Sequence, residues 1–176
     1  MRRLVVTGSE CSGKTTLARL LAEATGAPLL EEASRAHAER KLAEGQALTA
    51  DDVEPIARLA IASEDRLRAD SHPAFAVHDT DLISTVVYAR HYYGSCPAWI
   101  ETEARARRGD LYLFCAPDIP WVSDGIRDEP LERARMHALF AAALGEFDAV
   151  VIELSVVKPE TISRAIDLAL ELQAAA

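Results

Sequence analysis

The chain alternates short apolar runs with longer segments in which apolar residues recur at helical spacing. Runs that are apolar at consecutive positions are typical of parallel strands covered by helices on both faces. They predict strands at 3–7, 28–31, 75–78, 111–115 and 149–154. The longer segments predict helices at 14–25, 33–42, 97–107 and 131–144. They predict three more helices, of which one begins near residue 52, one ends near residue 93 and one begins at residue 159. This alternation predicts an α/β sandwich.

The same spacing predicts which helix faces are buried. In the first predicted helix, Leu17, Leu20 and Leu21 are expected to point inward. In the helix that begins near 52, Ile56 and Leu59 are expected to share one apolar face.

Length and composition favour one compact domain that spans residues 1–176. A formal net charge of −9 repels a polyphosphate backbone, so nucleic acid is not an expected partner. Cys11, Cys96 and Cys115 lack paired spacing, which favours a reducing compartment over a disulfide framework or a zinc site. Without a signal-peptide pattern or an apolar stretch of about 18 residues, we expect a cytoplasmic protein with no membrane partner. Nothing in the sequence indicates a protein partner.

The most specific motif is the run Gly8-Ser9-Glu10-Cys11-Ser12-Gly13-Lys14-Thr15, which matches G-x-x-x-x-G-K-[ST] and directly follows a predicted strand. Its glycines let backbone N–H groups face a β-phosphate, while Lys14 neutralises phosphate oxygens and Thr15 offers its hydroxyl to Mg²⁺. The N-terminus of the following helix adds positive potential. We therefore predict a bound nucleoside triphosphate, with ATP the expected one, together with Mg²⁺. The predicted nucleotide contacts are Gly8, Ser9, Glu10, Cys11, Ser12, Gly13, Lys14, Thr15 and Thr16.

Carboxylates follow two of the predicted strands, at the edge where ligands of an open parallel sheet bind. Asp79 follows the third strand as a magnesium-supporting carboxylate would, so Thr15 and Asp79 are the predicted metal-side residues. Asp81 suits either a helix N-cap or a substrate contact. Glu32, after the second strand, is predicted to orient a substrate hydroxyl or to take its proton. The alternative for Glu32 is a solvated charge at a helix start.

An irregular stretch at 116–130 contains three prolines and leads into a predicted helix. Arg127 and Arg133 are predicted to cover the γ-phosphate from this stretch, excluding water and stabilising negative charge. A kinase needs such a lid, because it must keep water away from an activated phosphate. Trp121 is predicted to stack on a substrate ring, and a cationic heterocycle suits an acidic and aromatic pocket. The predicted catalytic residues are Lys14, Glu32, Asp79, Asp81, Arg127 and Arg133.

With these residues in view, the chain resembles the nicotinamide riboside kinase domain of NadR-type proteins and the related single-domain P-loop ATPase and kinase family. The resemblance extends over nearly the whole length. The matching segments are Gly8 to Thr16, Glu32-Ala33-Ser34-Arg35, Asp79-Thr80-Asp81, Tyr92-Tyr93-Gly94, and Pro117 to Arg127 with Arg133. It implies an α/β, three-layer P-loop domain of the nucleoside- and nucleotide-kinase type, with a five-stranded parallel sheet and an arginine-bearing lid.

The resemblance also implies a reaction, the transfer of the γ-phosphoryl group of ATP to the 5′-hydroxyl of nicotinamide riboside. It implies that Lys14, Thr15 and Mg²⁺ hold the triphosphate and that Asp79 supports the metal. Glu32 or Asp81 would engage the ribosyl hydroxyls, and the two lid arginines would cover the transferring group. The chain departs from NadR-type proteins in having no adenylyltransferase segment before the first strand, so that second activity is not expected. It also departs in carrying Cys11 where serine is common.

Two other hypotheses stay open at this point. The chain has the phosphate-side residues of an ATP-dependent switch that binds a protein partner, and also those of a kinase for another nucleoside or a vitamin. The phosphate acceptor, the preference for ATP or GTP and the identity of a general base are not determined by the sequence.

Overall fold

The computed structural model describes residues 1–119, 133–156 and 158–176. Within this part of the chain, strands and helices alternate as the sequence pattern predicts. The strands are β1 (Arg2–Thr7), β2 (Leu29–Leu30), β3 (Phe75–Asp79), β4 (Leu111–Cys115) and β5 (Val151–Leu154). The helices are α1 (Lys14–Thr25), α2 (Ala33–Ala43), α3 (Val53–Ser71), α4 (Leu82–Tyr93), α5 (Ala98–Ala106), α6 (Arg133–Glu146) and α7 (Pro159–Ala174), and a 3₁₀ turn, Ala50–Asp52, precedes α3.

The described strands form one parallel sheet in the order β2-β3-β1-β4-β5. The central strand β1 pairs with β3 on one side and with β4 on the other. Its Val6 is in register with Asp79 of β3 and with Leu113 of β4, so the carboxyl ends of these strands meet at one edge. This edge carries the loop that follows β1.

Helices cover both faces of the sheet, which confirms the predicted three-layer α/β fold. Alternation along a strand sends successive side chains to opposite faces. Val5 and Tyr112 pack with Ile83, Ile100 and Phe140, from α4, α5 and α6. On the opposite face, the apolar cluster joins β1 side chains to α1 and α7; its members include Leu4, Val6, Leu17, Leu21, Ala165 and Ala169.

Some predicted details are wrong. The second strand has only two residues instead of four, and β5 begins at Val151 instead of residue 149. Leu20 and Leu59 were expected inside, yet their exposed fractions are 39% and 41%. Each lies two residues after a fully buried alanine of its helix, Ala18 or Ala57, and two residues correspond to a rotation of about 200°. The small alanines therefore face the protein interior, and Leu20 and Leu59 point away from it.

None of the helices in the described part of the chain has both the length and the apolar character needed to cross a membrane. Trp121 and Arg127, to which the sequence assigned stacking and lid functions, lie outside the described residues.

Candidate active site

The loop between β1 and α1 can be formed only with glycine at two of its positions. Gly8 has a φ of +145°, and a Cβ there would lie 2.7 Å from the carbonyl oxygen of Cys115. Gly13 has a φ of +80°, and a Cβ there would lie 2.8 Å from Cγ2 of Val156. Both values of φ are rare for residues with a side chain. The two glycines of the predicted motif are therefore required by both conformation and space.

Side chains of the loop bind its own backbone. Ser12 Oγ donates to the Ser9 carbonyl oxygen at 2.8 Å, and Lys14 Nζ donates to the same oxygen at 2.9 Å. Lys14 is also the first residue of α1, and Gly13 at the N-cap offers no side chain to the helix. The first amide groups of α1 thus have no intrahelical acceptor, and the N-cap residue makes no side-chain hydrogen bond to them. The loop presents an ammonium group and a helix N-terminus together, which is the arrangement that binds phosphate.

Asp79 ends β3 beside this loop. Its side chain accepts a hydrogen bond from Thr15, and its Oδ1 atom has no hydrogen-bond partner among the described residues although the residue is only 3% exposed. Burial raises the pKa of Asp79, the Thr15 hydroxyl opposes this, and the nearby Glu32 carboxylate adds to the rise. A buried carboxylate oxygen without a partner, next to a hydroxyl, is a donor set that suits Mg²⁺.

No cluster of three or more His, Cys, Asp or Glu side chains suited to a metal occurs in the described part of the chain. A magnesium ion at Thr15 and Asp79 would therefore take its remaining oxygen ligands from phosphate and water, as is usual for this ion.

Glu32 occupies the N-cap position of α2 and is only 7% exposed. Its Oε1 accepts a hydrogen bond from Ser34 Oγ at 2.6 Å, and its Oε2 lies 3.7 Å from Arg35 Nε. The neighbouring Glu31 has an exposed side chain and lies 3.5 Å from Arg19. The solvated-charge alternative therefore describes Glu31, whereas Glu32 is a buried carboxylate close to Asp79.

Asp81 caps α4, which is one of the two roles left open by the sequence. Its Oδ1 accepts a hydrogen bond from the Ile83 amide at 3.0 Å, and its Oδ2 accepts one from the Tyr112 hydroxyl at 2.5 Å. Burial raises the pKa of Asp81 to about 6, although these hydrogen bonds act in the opposite direction. Because both carboxylate oxygens are held by the protein, a positioning role fits Asp81 better than proton abstraction.

Arg133, the first residue of α6, contacts the loop between β1 and α1. Its guanidinium group donates to the Ile119 carbonyl oxygen at 2.7 Å and to the Cys11 carbonyl oxygen at 3.1 Å. The sequence predicted that this arginine would cover the γ-phosphate. It did not predict the hydrogen bond that joins α6 to the backbone of the loop. Cys11 has a φ of +50°, which is uncommon for a residue other than glycine.

A cavity of about 750 Å³ lies between the sheet and helices α2, α3 and α4. We call it the α3–α4 cavity. It opens at the sheet edge beside Glu10, Asp79 and Asp81, and extends inward to Arg3. Arg3 is three residues before Val6 of β1, a distance of about 10 Å along a strand. Among the described residues, the lining carries six carboxylates, two guanidinium groups and three tyrosines, namely Glu10, Glu31, Asp52, Glu64, Asp79 and Asp81, then Arg3 and Arg107, and Tyr88, Tyr92 and Tyr93.

A second cavity of about 480 Å³ lies between α1, β2, α2 and α3. Thr15, Glu32 and Arg35 line it together with Leu59. Asp79 lines both cavities.

Several polar residues of the α3–α4 cavity were not predicted. At its inner end Glu64 binds Arg3 at 2.6 Å and Arg107 at 3.4 Å. His78 lies on the cavity side of β3, and burial lowers its pKa to about 4. A histidine inside an apolar strand, one position before Asp79, was the only signal that the sequence offered for this part of the site.

A family model described as an AAA domain matches residues 3–161. The chain belongs to the AAA domain family. This AAA domain is similar to the NadR protein in complex with NR, with 26% identity, a TM-score of 0.74, and coverage of 98% of this chain and 50% of that one. It is also similar to NadR in complex with NAD and AMP-PNP, with 26% identity, a TM-score of 0.77, and coverage of 98% and 49%. The predicted resemblance to NadR-type proteins is confirmed.

The chain spans about half the length of these NadR chains. Thymidylate kinase from Ehrlichia chaffeensis shares the fold over 97% of both chains, with 14% identity and a TM-score of 0.69. No curated protein matches the chain. The fold of this AAA domain is thus the P-loop fold of nucleoside and nucleotide kinases.

Proposed function

We propose that this AAA domain is an ATP- and Mg²⁺-dependent kinase that phosphorylates the 5′-hydroxyl of a nucleoside-like small molecule, with nicotinamide riboside as the best candidate. The observation that carries the proposal is the position of Asp79. Its carboxylate accepts a hydrogen bond from Thr15 of the phosphate-binding loop, and it also lines the α3–α4 cavity. A donor phosphate and an acceptor hydroxyl would therefore meet at this residue.

The donor half of the site consists of the loop and the start of α1. Lys14, which binds the Ser9 carbonyl oxygen in this structure, would exchange that partner for phosphate oxygens. Thr15 and Asp79 would hold Mg²⁺, which when bound neutralises charge on the β- and γ-phosphates. Arg133 would hold the loop in shape through the Cys11 carbonyl oxygen. Phosphoryl transfer depends mainly on such positioning and charge stabilisation.

The acceptor half is the α3–α4 cavity. Among the residues of its lining that the structure describes, carboxylates outnumber guanidinium groups, and Arg3 and Arg107 both contact Glu64. Tyr88 and Tyr92, whose ring centroids are 6.1 Å apart, add aromatic surface on one wall. An acidic and aromatic cavity suits a cationic ring such as the pyridinium of nicotinamide riboside. The 26% identical NadR chain in complex with NR supports the same choice.

Glu32 would act on the acceptor hydroxyl from the second cavity, which shares Asp79 with the α3–α4 cavity. It is buried, lies close to Asp79 and is oriented by Ser34 at 2.6 Å. A carboxylate in this position would accept a hydrogen bond from the hydroxyl and orient its oxygen toward the γ-phosphate. Because the reaction consumes ATP, we expect it to take place in the cytoplasm.

The alternative is a nucleotide-dependent switch that binds a protein partner. A switch needs a loop that senses the γ-phosphate, but it has no use for a cavity of about 750 Å³ beside the phosphate site. The cavity therefore favours the kinase.

A nucleoside panel tests the proposal. ADP release is measured with ATP, Mg²⁺ and each candidate acceptor, nicotinamide riboside first, with Lys14→Ala as the inactive control. We expect nicotinamide riboside to raise ADP release well above basal hydrolysis in the wild-type protein alone. If no nucleoside or vitamin stimulates release, while a protein partner binds only the ATP-loaded form, the kinase assignment is wrong and the switch is favoured.

A further inference from the structure

His78 and Asp79 are consecutive residues that point to opposite faces of the sheet. His78 is in register with Val5, whose side chain packs on the α3–α4 face, and both residues line the α3–α4 cavity. Asp79 is oriented toward the loop and Thr15. Alternation along β3 thus directs His78 into the α3–α4 cavity, while the next residue, Asp79, accepts a hydrogen bond from Thr15 of the loop.

His78 is 6% exposed, and its Nε2 atom has no hydrogen-bond partner among the described residues. The charged groups that affect the pKa of His78 are Glu64 and Arg3, and they bind each other, since Arg3 Nε donates to Glu64 Oε1 at 2.8 Å. Buried polar atoms nearly always have a partner, and an exception in a folded protein calls for an explanation. Nε2 itself has less than 1 Å² of accessible surface, whereas His78 as a residue lines the α3–α4 cavity, so a ligand there would give the imidazole ring a partner.

We propose that the imidazole of His78 forms a hydrogen bond with an uncharged polar substituent, of the carboxamide class, on the ring of the acceptor. The inference rests on the proposed function and deepens it, because it assigns the selection of the ring to one residue. The ribose then lies at the sheet edge beside Asp79, and the ring points inward.

An amide suits this position better than a carboxylate does. A neutral imidazole nitrogen donates or accepts according to its tautomer, and an amide offers both an acceptor and a donor. The neighbouring Glu64 carboxylate and the excess of carboxylates in the lining disfavour a second anion. Arg3 offers no compensation, because it already binds Glu64.

Ring substitution and mutation together test the proposal. Three acceptors are compared. Nicotinamide riboside carries the carboxamide, N-ribosylpyridinium lacks it, and nicotinic acid riboside carries a carboxylate in its place. The variants are His78→Phe, which keeps a ring and removes the hydrogen bond, and His78→Gln, which keeps a polar group. The control is His137→Phe, a histidine of α6 that binds Glu153 and does not line the cavity. The kcat and KM for each acceptor, the Kd by calorimetry and the Tm are measured.

We expect His78→Phe to lower kcat/KM for nicotinamide riboside by about 10-fold or more, mainly through KM, because the contact is remote from the transferring phosphate. The same variant should change kcat/KM for N-ribosylpyridinium less than about twofold. His78→Gln should restore part of the loss, and His137→Phe should not alter the preference between the two acceptors. Wild-type protein should favour the amide over nicotinic acid riboside. Because an unpaired buried nitrogen is removed, the Tm of His78→Phe should equal or exceed that of the wild type.

Equal losses for both acceptors, or a lower Tm with no change in the preference, would overturn the inference and leave the proposed function intact. If wild-type protein binds and phosphorylates none of the ribosides, the proposed function fails, and the assignment of His78 fails with it.

Discussion

Replacement of Asp52 tests how the rim of the α3–α4 cavity is held. Asp52 is 7% exposed and ends the 3₁₀ turn before α3. Its Oδ2 accepts hydrogen bonds from the Thr49 amide at 2.8 Å and the Thr49 hydroxyl at 3.0 Å, and its Oδ1 binds His37 Nε2 at 2.8 Å. Lys41 of α2 lies 3.3 Å away. One carboxylate therefore joins α2 to the start of α3, and residues 45–49 between them line the cavity.

The expected effect of Asp52→Ala follows from these contacts. Loss of a helix-capping side chain costs about 1 kcal/mol, and loss of a buried hydrogen bond to a charged group costs about 1.5–3 kcal/mol. The contacts share one carboxylate and are not additive, so we expect the free energy of unfolding to fall by about 3 kcal/mol at pH 7. Asp52→Asn keeps one acceptor oxygen and loses the charge, and we expect a loss of about 2 kcal/mol.

The effect should depend on pH. Burial alone would raise the pKa of Asp52, but the hydrogen bonds with His37, Thr49 and Lys41 outweigh it and hold the pKa well below the ordinary value of 3.8. A carboxyl group with a lowered pKa stabilises the fold above 3.8, and this stabilisation is lost as the pH falls toward the folded-state value. Between pH 7 and pH 3, wild-type protein should lose about 1 kcal/mol that Asp52→Ala does not lose.

Urea unfolding followed by circular dichroism, at pH 7 and at pH 3, measures both effects. The matched control is Asp51→Ala, because Asp51 is the exposed neighbour, and its effect should stay within about 0.5 kcal/mol. The cavity rim should also loosen, so Asp52→Ala should raise KM for the acceptor more than KM for ATP. The reasoning is refuted if Asp52→Ala and Asp51→Ala are equally stable, or if the loss at Asp52 is the same at both pH values.

The remaining predictions concern the phosphate loop and the hydroxyl-orienting carboxylate. Glu32→Gln should keep ATP affinity and lower kcat by about 100-fold or more, whereas Glu31→Gln, in the exposed neighbour, should keep kcat near the wild-type value in the coupled ADP assay. Normal phosphate transfer by Glu32→Gln would remove Glu32 from the mechanism. Gly8→Ala should abolish binding of a fluorescent ATP analogue, because its Cβ would meet the Cys115 carbonyl oxygen at 2.7 Å. Gly145→Ala, in a helix with open space around it, should stabilise the fold by about 0.5–1 kcal/mol. Tight analogue binding by Gly8→Ala would contradict the loop geometry.

Local signals predicted much of the fold. The bounds of α1 and β4 agree with the prediction, because glycines and apolar runs mark these elements directly in the chain. The phosphate-binding loop was predicted for the same reason, since its glycines, Lys14 and Thr15 are contiguous. The position of Asp79 at the sheet edge was predicted because this residue comes directly after an apolar run.

Features that depend on distant partners were not predicted. Periodicity alone did not show that Ala18 and Ala57, instead of Leu20 and Leu59, are buried. The contact of Arg133 with the Cys11 carbonyl oxygen joins residues 122 positions apart. The pairing of Asp52 with His37 likewise requires knowledge of how α2 and α3 pack. Sequence spacing carries no information about such contacts.

The central claim is that the γ-phosphoryl group passes from ATP to a hydroxyl in the α3–α4 cavity. ³¹P NMR of wild-type protein with ATP, Mg²⁺ and nicotinamide riboside tests it directly. The account predicts a phosphomonoester resonance, coupled to the 5′ methylene protons of the ribose, that grows in step with ADP. Growth of inorganic phosphate alone, at a rate that does not respond to the riboside, would contradict it.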